Sequence, residues 1–408
     1  MRAGHPAIHE RVPIIDTDTD LAAAGGVLTV DLSAVAANWR AVRATAAGAE
    51  AGAVVKADAY GLGMEPVARR LAEEGCGSFF VAEAREGAAL RAMLPGVAIY
   101  MLNGLFPGTA ALYRAAGLVP CLASMTELAE WRDAAKHAGT RLPAALHFDS
   151  GLNRLGMSAA DAAAIAADAA LAEGIDVRLV MSHLACADDA TSPRNAEQLR
   201  RFREMRAVLG ARFADARASL ANSPGVFLGP DYHFDLVRPG VGLYGGNPHS
   251  GAANPFRAAV TVEARVLAVR TLEAGDAVGY GATWRASAPA RIAVLSAGYA
   301  DGYFRALSRT SDEKTQEKGG HVHIAGYTVP VAGRVSMDMM AVDISAVPEG
   351  LIQRGDMAEL IGPNISVDDV GFRAGTIGYE ILTSLGRRYM RRYPTGDEKL
   401  SGKPGGQV

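Results

Sequence analysis

Apolar residues fall in this chain as short unbroken runs separated by stretches of helical period. Ala53-Val54-Val55 is apolar throughout and reads as a buried strand. It ends in Lys56, passes through a short polar, glycine-bearing turn, and continues with Met64, Val67, Ala68 and Leu71 on one helical face. The alternation then repeats. Strands are predicted at 53–56, 78–81, 97–102, 118–122, 144–148, 177–182, 216–221 and 234–237. Helices are predicted between most of them, notably 84–93, 125–137, 158–171 and 193–209, whereas 223–233 is loop-like. Ahead of this series, 27–30 is a short strand, and Asp31 is placed to cap a helix through Val35, Trp39 and Val42.

Strands alternating with helices in this number predict an α/β fold, a closed parallel (β/α)8 barrel of the TIM type. Pattern alone supports between about seven and nine strands. A doubly wound sheet is the alternative, disfavoured because no G-x-G-x-x-G follows the first strand. Near Asn254 the rhythm changes. Val260, Val262 and Ala264 share one face of an alternating run, and strands at 291–296, 321–324, 329–331, 339–344 and 357–361 follow without intervening helices. The expected organisation is an N-terminal arm over 1–26, a barrel over 27–254, a separate mainly-β C-terminal domain over 255–398 and a flexible tail over 399–408. The stretch 315–320 reads as a polar turn, and no internal repeat is visible.

Composition narrows the function more than the fold. The 408 residues are 49% apolar, enough for two cored domains, and carry a net charge of −3. That balance implies neither nucleic acid nor an acidic membrane as a partner. No apolar run is long enough to span a bilayer, and the polar N-terminus has no signal core, so a cytoplasmic location is expected. Cys76, Cys121 and Cys186 are widely spaced and odd in number, which fits reduced thiols and neither a disulfide frame nor a zinc site. His321 and His323 lie two apart on a predicted strand with no third ligand nearby, and no metal is expected.

Polar residues collect where a barrel would place a site, at the C-terminal ends of its strands. Lys56 ends the first strand. His147, Asp149 and Arg154 sit at and after the fifth, and His183 ends the sixth. Asn222 and Ser223 follow the seventh, and Arg238-Pro239-Gly240 the eighth. Turns after the last two strands commonly bind phosphate, and here Ser223 offers a hydroxyl while Gly240 and Val241 offer backbone N–H groups. Each residue also has an ordinary reading. A strand-end lysine can snorkel to solvent, Arg238 can pair with Asp235, His183 can be a satisfied core histidine, and Asp188-Asp189 reads as a loop charge pair. A desolvated lysine, by contrast, becomes a nucleophile or base able to form a Schiff base with an aldehyde cofactor such as pyridoxal 5'-phosphate.

The string Val54-Val55-Lys56-Ala57-Asp58-Ala59-Tyr60-Gly61-Leu62-Gly63 resembles the cofactor-lysine motif of the alanine racemases, pyridoxal-phosphate enzymes with a barrel and a β-rich C-terminal domain. Leu62 stands where that family usually has histidine. Further segments resemble family motifs in order, over about 30–389: Asp149-Ser150-Gly151-Leu152-Asn153-Arg154-Leu155-Gly156, Ser182-His183-Leu184-Ala185, Arg238-Pro239-Gly240, Gly279-Tyr280-Gly281, Gly298-Tyr299-Ala300-Asp301-Gly302, Gly333-Arg334-Val335-Ser336-Met337-Asp338 and Tyr379-Glu380-Ile381-Leu382.

The resemblance implies roles. Lys56 holds the cofactor and Arg238 faces its pyridine nitrogen. His183 stacks near it and Arg154 steadies its oxygen and the substrate carboxylate. Tyr60, Asn222, Ser223, Gly240, Val241 and Tyr379 complete the cofactor site around the phosphate. An arginine beside the ring nitrogen, always charged, leaves that nitrogen unprotonated and favours reprotonation at the same carbon over transamination. The catalytic partner of Lys56 would be Tyr280, helped to act as a base by Arg154 and His183. Tyr299, Met337 and Asp338 would bind substrate. In the family these come from the second subunit, which implies a homodimer with composite sites.

One departure concerns His147, which stands where the family often has a carbamylated lysine and needs a different way to hold Arg154. The implied activity is interconversion of L- and D-alanine, supplying D-alanine for peptidoglycan. Alternatives are a broad-specificity racemase accepting serine or lysine, an amino-acid decarboxylase of the same fold, which Arg238 opposes, and a non-catalytic cofactor-binding barrel, which the second domain opposes.

Overall fold

The computed structural model describes residues 18–46, 48–249, 251–311 and 319–395. The first seventeen residues of the expected arm, 315–318 of the polar turn and the 399–408 tail lie outside these. Within the arm, Asp18–Ala23 forms a short helix. The chain divides into two compact units, each assembled from separated stretches.

The first unit comprises Asp31–Val260 with Ile361–Leu385 and the described residues from Pro394 on. Its centre is a seven-stranded parallel sheet of Ala53–Val54, Ser78–Val81, Ala98–Met101, Val119–Leu122, Leu142–His147, Ile175–Met181 and Arg217–Ser219, neighbours in chain order. The last predicted strand, shortened to Leu236–Val237, closes the ring. It pairs in parallel with Glu50–Ala51, and Gly52 N and Val54 N donate to Val237 O and Pro239 O, both at 2.9 Å. On its other side Asp235 N reaches Ala218 O at 3.0 Å and Arg238 N reaches Ala221 O at 2.9 Å. The result is the α/β barrel that the alternation predicts. Ser78–Val81 and Val119–Leu122 are buried along their whole length. Strands covered on both faces read as unbroken apolar runs, which is why period alone located them.

The helices begin and end on recognisable residues. The Asp31 carboxylate accepts from Ser33 N and Ala34 N at 2.8 and 2.9 Å, starting Leu32–Thr45. Ser124 caps Met125–Ala138, which stops at Gly139 with φ 63°. Pro193 opens Pro193–Gly210 at a position where its missing N–H costs nothing. The helix expected over 158–171 is broken at Asp168. That side chain accepts from Ala170 N at 2.9 Å and starts a separate 3-10 turn, Ala169–Ala172. Among the described residues no helix is long and apolar enough to cross a membrane.

The second unit comprises the described residues up to Val30, Thr261–Leu360 and Gly386–Tyr393. It is mainly β. Burial alternates along the first half of Val260–Leu272, with Val260, Val262 and Ala264 inward. Ala290–Leu295 runs antiparallel between that strand and Met340–Asp343. Gly26–Val30 joins the same sheet and pairs in parallel with Met390–Arg392, so both chain ends of the unit meet. Leu272, Val278, Ala286, Ile292, Ala332 and Ala341 form one of its cores.

The chain also returns to the barrel late. Val367–Ala374 and Gly378–Ser384 are helices and belong to the barrel unit. Ser366 caps the first, which ends at Gly375 with φ 75°. The second packs closely on the turn after Lys56: a Cβ at Gly61 would lie 2.6 Å from Leu382 O.

Candidate active site

The turn that carries Lys56 is unusual. Ala57, Asp58, Ala59 and Tyr60 have φ values of 52, 54, 53 and 58°, a run of left-handed backbone with no glycine. Each such residue costs roughly 1–2 kcal/mol, so the surroundings must hold the turn. Several contacts do. Asp58 Oδ1 accepts from Met64 N at 2.7 Å and caps the next helix. Tyr60 is buried against Tyr244 and Tyr379, at ring-centroid distances of 4.8 and 6.0 Å. Glu86 Oε1 accepts from Ala57 N at 2.6 Å. Leu62, the departure from the family motif, is fully buried.

Around Lys56 the barrel gathers cations and neutral donors. Burial and the charge of Arg154 pull the Lys56 amine below its usual range, and the Glu86 carboxylate pushes it back up. Arg238 is only 3% exposed and turns inward. Its Nη2 donates to Ser182 O at 2.6 Å and lies 3.4 Å from His183 Nδ1. Its Nη1 donates to Ser219 Oγ, which itself donates to Leu236 O. The alternative partner considered for Arg238, Asp235, instead accepts from Ala218 N at 2.7 Å and from Arg206 at 3.3 Å. Burial lowers the Arg238 guanidinium to about 10, which leaves it charged at neutral pH.

His183 and His147 are neutral for the same reasons. Burial first, then Arg238 and Arg154, hold His183 well below the ordinary imidazole range. Burial and Arg238 pull His147 down to about 4. His147 Nδ1 is buried without a hydrogen-bond partner among the described residues. His183 therefore offers hydrogen bonding, not positive charge, to whatever it faces. Arg154 lies on the exposed side of the Asp149–Gly156 loop, whose backbone is tied to the Asp149 carboxylate through Gly151 N and Leu152 N at 2.8 and 2.9 Å.

The part of the mouth next to the Lys56 strand, where Val54 N donates to Pro239 O at 2.9 Å, offers donors to an anion. Ser223 Oγ accepts from Gly240 N and Gly242 N at 2.8 and 3.2 Å, which leaves its own hydrogen free to donate. A Cβ on Gly240 would fall 2.2 Å from Tyr60 Oη, so only glycine lets that hydroxyl approach the backbone here. Val241 is buried at the head of the 3-10 turn Val241–Tyr244. Asn222 bridges in parallel to Arg238 and accepts from Gly225 N at 3.0 Å. Burial raises the Tyr60 hydroxyl far above its usual range and that of Tyr379 to about 12, so both remain neutral donors. A half-buried amine beside a cradle of hydroxyls and a bare glycine fits an aldehyde-bearing phosphate ester.

In the second unit, Tyr280 stands at the tip of a small hairpin between Ala277–Val278 and Trp284–Arg285, and is 70% exposed. Tyr299 and Met337 are exposed too, on two turns that are stitched together: Tyr299 N reaches Ser336 O and Ala300 N reaches Met337 O, both at 3.0 Å. Arg388 locks the pair. It donates to both Asp301 oxygens at 2.7 and 2.8 Å and to Asp338 Oδ1 at 2.6 Å.

Residues that sequence reasoning passed over are mostly such supports: Glu86, Ser219, Arg388 and Gln198. The Gln198 amide holds His183 O at 2.9 Å and accepts from Ala185 N at 2.8 Å. Only Glu86 carried a local signal, as an acid three residues into the helix that begins after Glu83.

A parallel barrel with a desolvated lysine and an anion cradle at its mouth, joined in one chain to a β unit, is the architecture of a two-domain barrel enzyme. Comparison with known proteins gives the family. The description "Alanine racemase, N-terminal domain" matches residues 30–248, and "Alanine racemase, C-terminal domain" matches 259–393. The catabolic alanine racemase of Mesorhizobium japonicum is 47% identical over 376 residues, covering 92% of this chain and 95% of that one. The biosynthetic alanine racemase of Agrobacterium fabrum is 44% identical, covering 91% of this chain and 94% of that one. The solved structure of the Bartonella henselae alanine racemase with covalently bound pyridoxal phosphate superposes with a TM-score of 0.84 at 38% identity, covering 91% and 100% of the two chains. The chain belongs to the alanine racemase family.

Proposed function

We propose that this chain is an isomerase that interconverts L- and D-alanine, with pyridoxal 5'-phosphate held at Lys56. The observation that carries the reading is the Lys56 amine, drawn below its usual proton affinity by burial and Arg154 at the mouth of the barrel. When bound, the cofactor withdraws electrons from the substrate Cα and acidifies its proton. Lys56 Nζ takes or returns that proton on one face. Tyr280 Oη of a second copy of the chain serves the other face, and its exposure on a free hairpin tip suits a residue completed by association. Arg238, charged and buried, would be the residue beside the ring nitrogen of a bound cofactor, where a fixed positive charge would favour reprotonation at Cα. Arg154 orients the substrate carboxylate, assisted by Met337 and Asp338, and Tyr299 lines the way in. Ser223, Tyr60, Tyr379, Asn222, Gly240 and Val241 would hold the phosphate of a bound cofactor.

The working form in this reading is a cytoplasmic homodimer with two composite sites, acting on a small amino acid and independent of nucleic acid and membrane. D-alanine for peptidoglycan is its proposed product. A depletion strain that regains growth only with added D-alanine supports that use.

The direct test incubates purified protein and pyridoxal phosphate with L-alanine in deuterated water, following optical activity and α-deuteration together. Loss of optical activity with deuterium at Cα is the expected result. Deuteration with retained configuration would refute Tyr280 as the second base, and no exchange with alanine would overturn the substrate assignment. Parallel runs with serine and lysine set the breadth.

A further inference from the structure

Glu86 holds two loops with one carboxylate. Its Oε1 accepts from Ala57 N at 2.6 Å, immediately beyond Lys56. Its Oε2 accepts from Ala82 N and Glu83 N at 2.9 and 3.0 Å, at the end of the neighbouring strand Ser78–Val81. Ala57 is the first residue of the left-handed run, directly after the lysine that the turn must hold in place. We propose that Glu86 is the positioning residue of Lys56, tying the strained turn that carries it to the adjacent strand end. The proposal rests on Lys56 being the cofactor lysine.

The groups that bear on the amine are Arg154, His183 and Glu86. His183 is neutral, Arg154 and burial disfavour the ammonium form, and Glu86 alone favours it. This balance suits a lysine that must both give and take a proton. Burial keeps free amine available, and Glu86 keeps ammonium available. A merely structural clamp would behave in the opposite way. Releasing the turn would expose Lys56, relieve its desolvation and raise its proton affinity.

The experiment uses the full-length chain freed of cofactor with hydroxylamine. Lys56 is labelled with acetic anhydride across a pH series, and its peptide is quantified by mass spectrometry. For Glu86→Gln the half-labelling pH moves down relative to wild type, and kcat/KM of the reloaded enzyme falls about tenfold. Glu86→Asp retains the charge, so its half-labelling pH stays near wild type. A half-labelling pH that rises or stays fixed in Glu86→Gln overturns the proposal. Should that variant fail to fold, a rising value in Glu86→Asp overturns it and an unchanged one supports it. Labelling does not depend on the cofactor, so failure of wild-type protein to capture pyridoxal phosphate would refute the functional reading separately.

Discussion

The two units treat their functional side chains in opposite ways. At the barrel mouth Arg238, His183, Ser219 and Ser223 are packed into hydrogen-bond networks that fix each atom before any ligand arrives. In the β unit Tyr280, Tyr299 and Met337 stand out on turn tips, and only the turns beneath them are braced. Barrel residues derive their electrostatics from burial. The β-unit residues stay exposed to solvent, Tyr280 most of all, so burial does little to set their electrostatics. In the proposed reading, a preorganised half and a half completed by association divide the work of a two-faced proton transfer.

The largest effect that separates the halves is Lys56→Ala. Turnover falls by at least about 10³-fold and the visible absorbance of the bound cofactor disappears, while circular dichroism is unchanged. Tyr280→Phe comes next. Alanine racemisation slows about 10²- to 10⁴-fold, cofactor absorbance remains, and stability stays within about 0.5 kcal/mol because the side chain is exposed. The two enantiomers have equal free energies, so kcat/KM must fall equally in both directions. The asymmetry is expected in the primary deuterium isotope effects of L- and D-alanine.

The third test sharpens the claim that burial sets barrel chemistry. His147 titrates near 6.5 when unfolded and at about 4 when folded. Between those values the unfolded state binds more protons, so stability falls as pH drops from 6.5 toward 4, by an amount on the order of 2–3 kcal/mol. Denaturant midpoints of wild type and His147→Asn across that window check it: the variant shows a flatter slope. The smallest effect is expected in the β unit. Arg388→Ala leaves the buried Asp301 carboxylate, 6% exposed, without its charged partner, and costs about 1–2 kcal/mol. Because the 298–302 and 336–338 turns then loosen, KM for alanine rises several-fold with kcat less affected.

Much of the barrel was legible in the chain. Runs such as 78–81 and 118–122 are buried on both faces and announce themselves as apolar blocks, and Asp31, Ser124 and Gly139 mark helix ends by their own chemistry. The return of the chain to the barrel at Val367–Ala374 and Gly378–Ser384 was not legible, because a short amphipathic helix does not say what it packs on. The same holds for Gly26–Val30, whose partner strand Met390–Arg392 lies at the other end of the sequence.

For the site, the sequence by itself marked the candidate side chains: Lys56 at a strand end, Arg238 directly after a predicted strand, Tyr280 between glycines. Those identities are written in short motifs because the backbone around each must take one local form. Tertiary structure decided what state those side chains are in. The neutrality of His183 and His147, the lowered amine of Lys56, and the clamps from Glu86, Ser219 and Arg388 all arise from atoms brought together across the fold. Desolvation and Coulomb terms depend on distance in space, and no spacing along a chain encodes them.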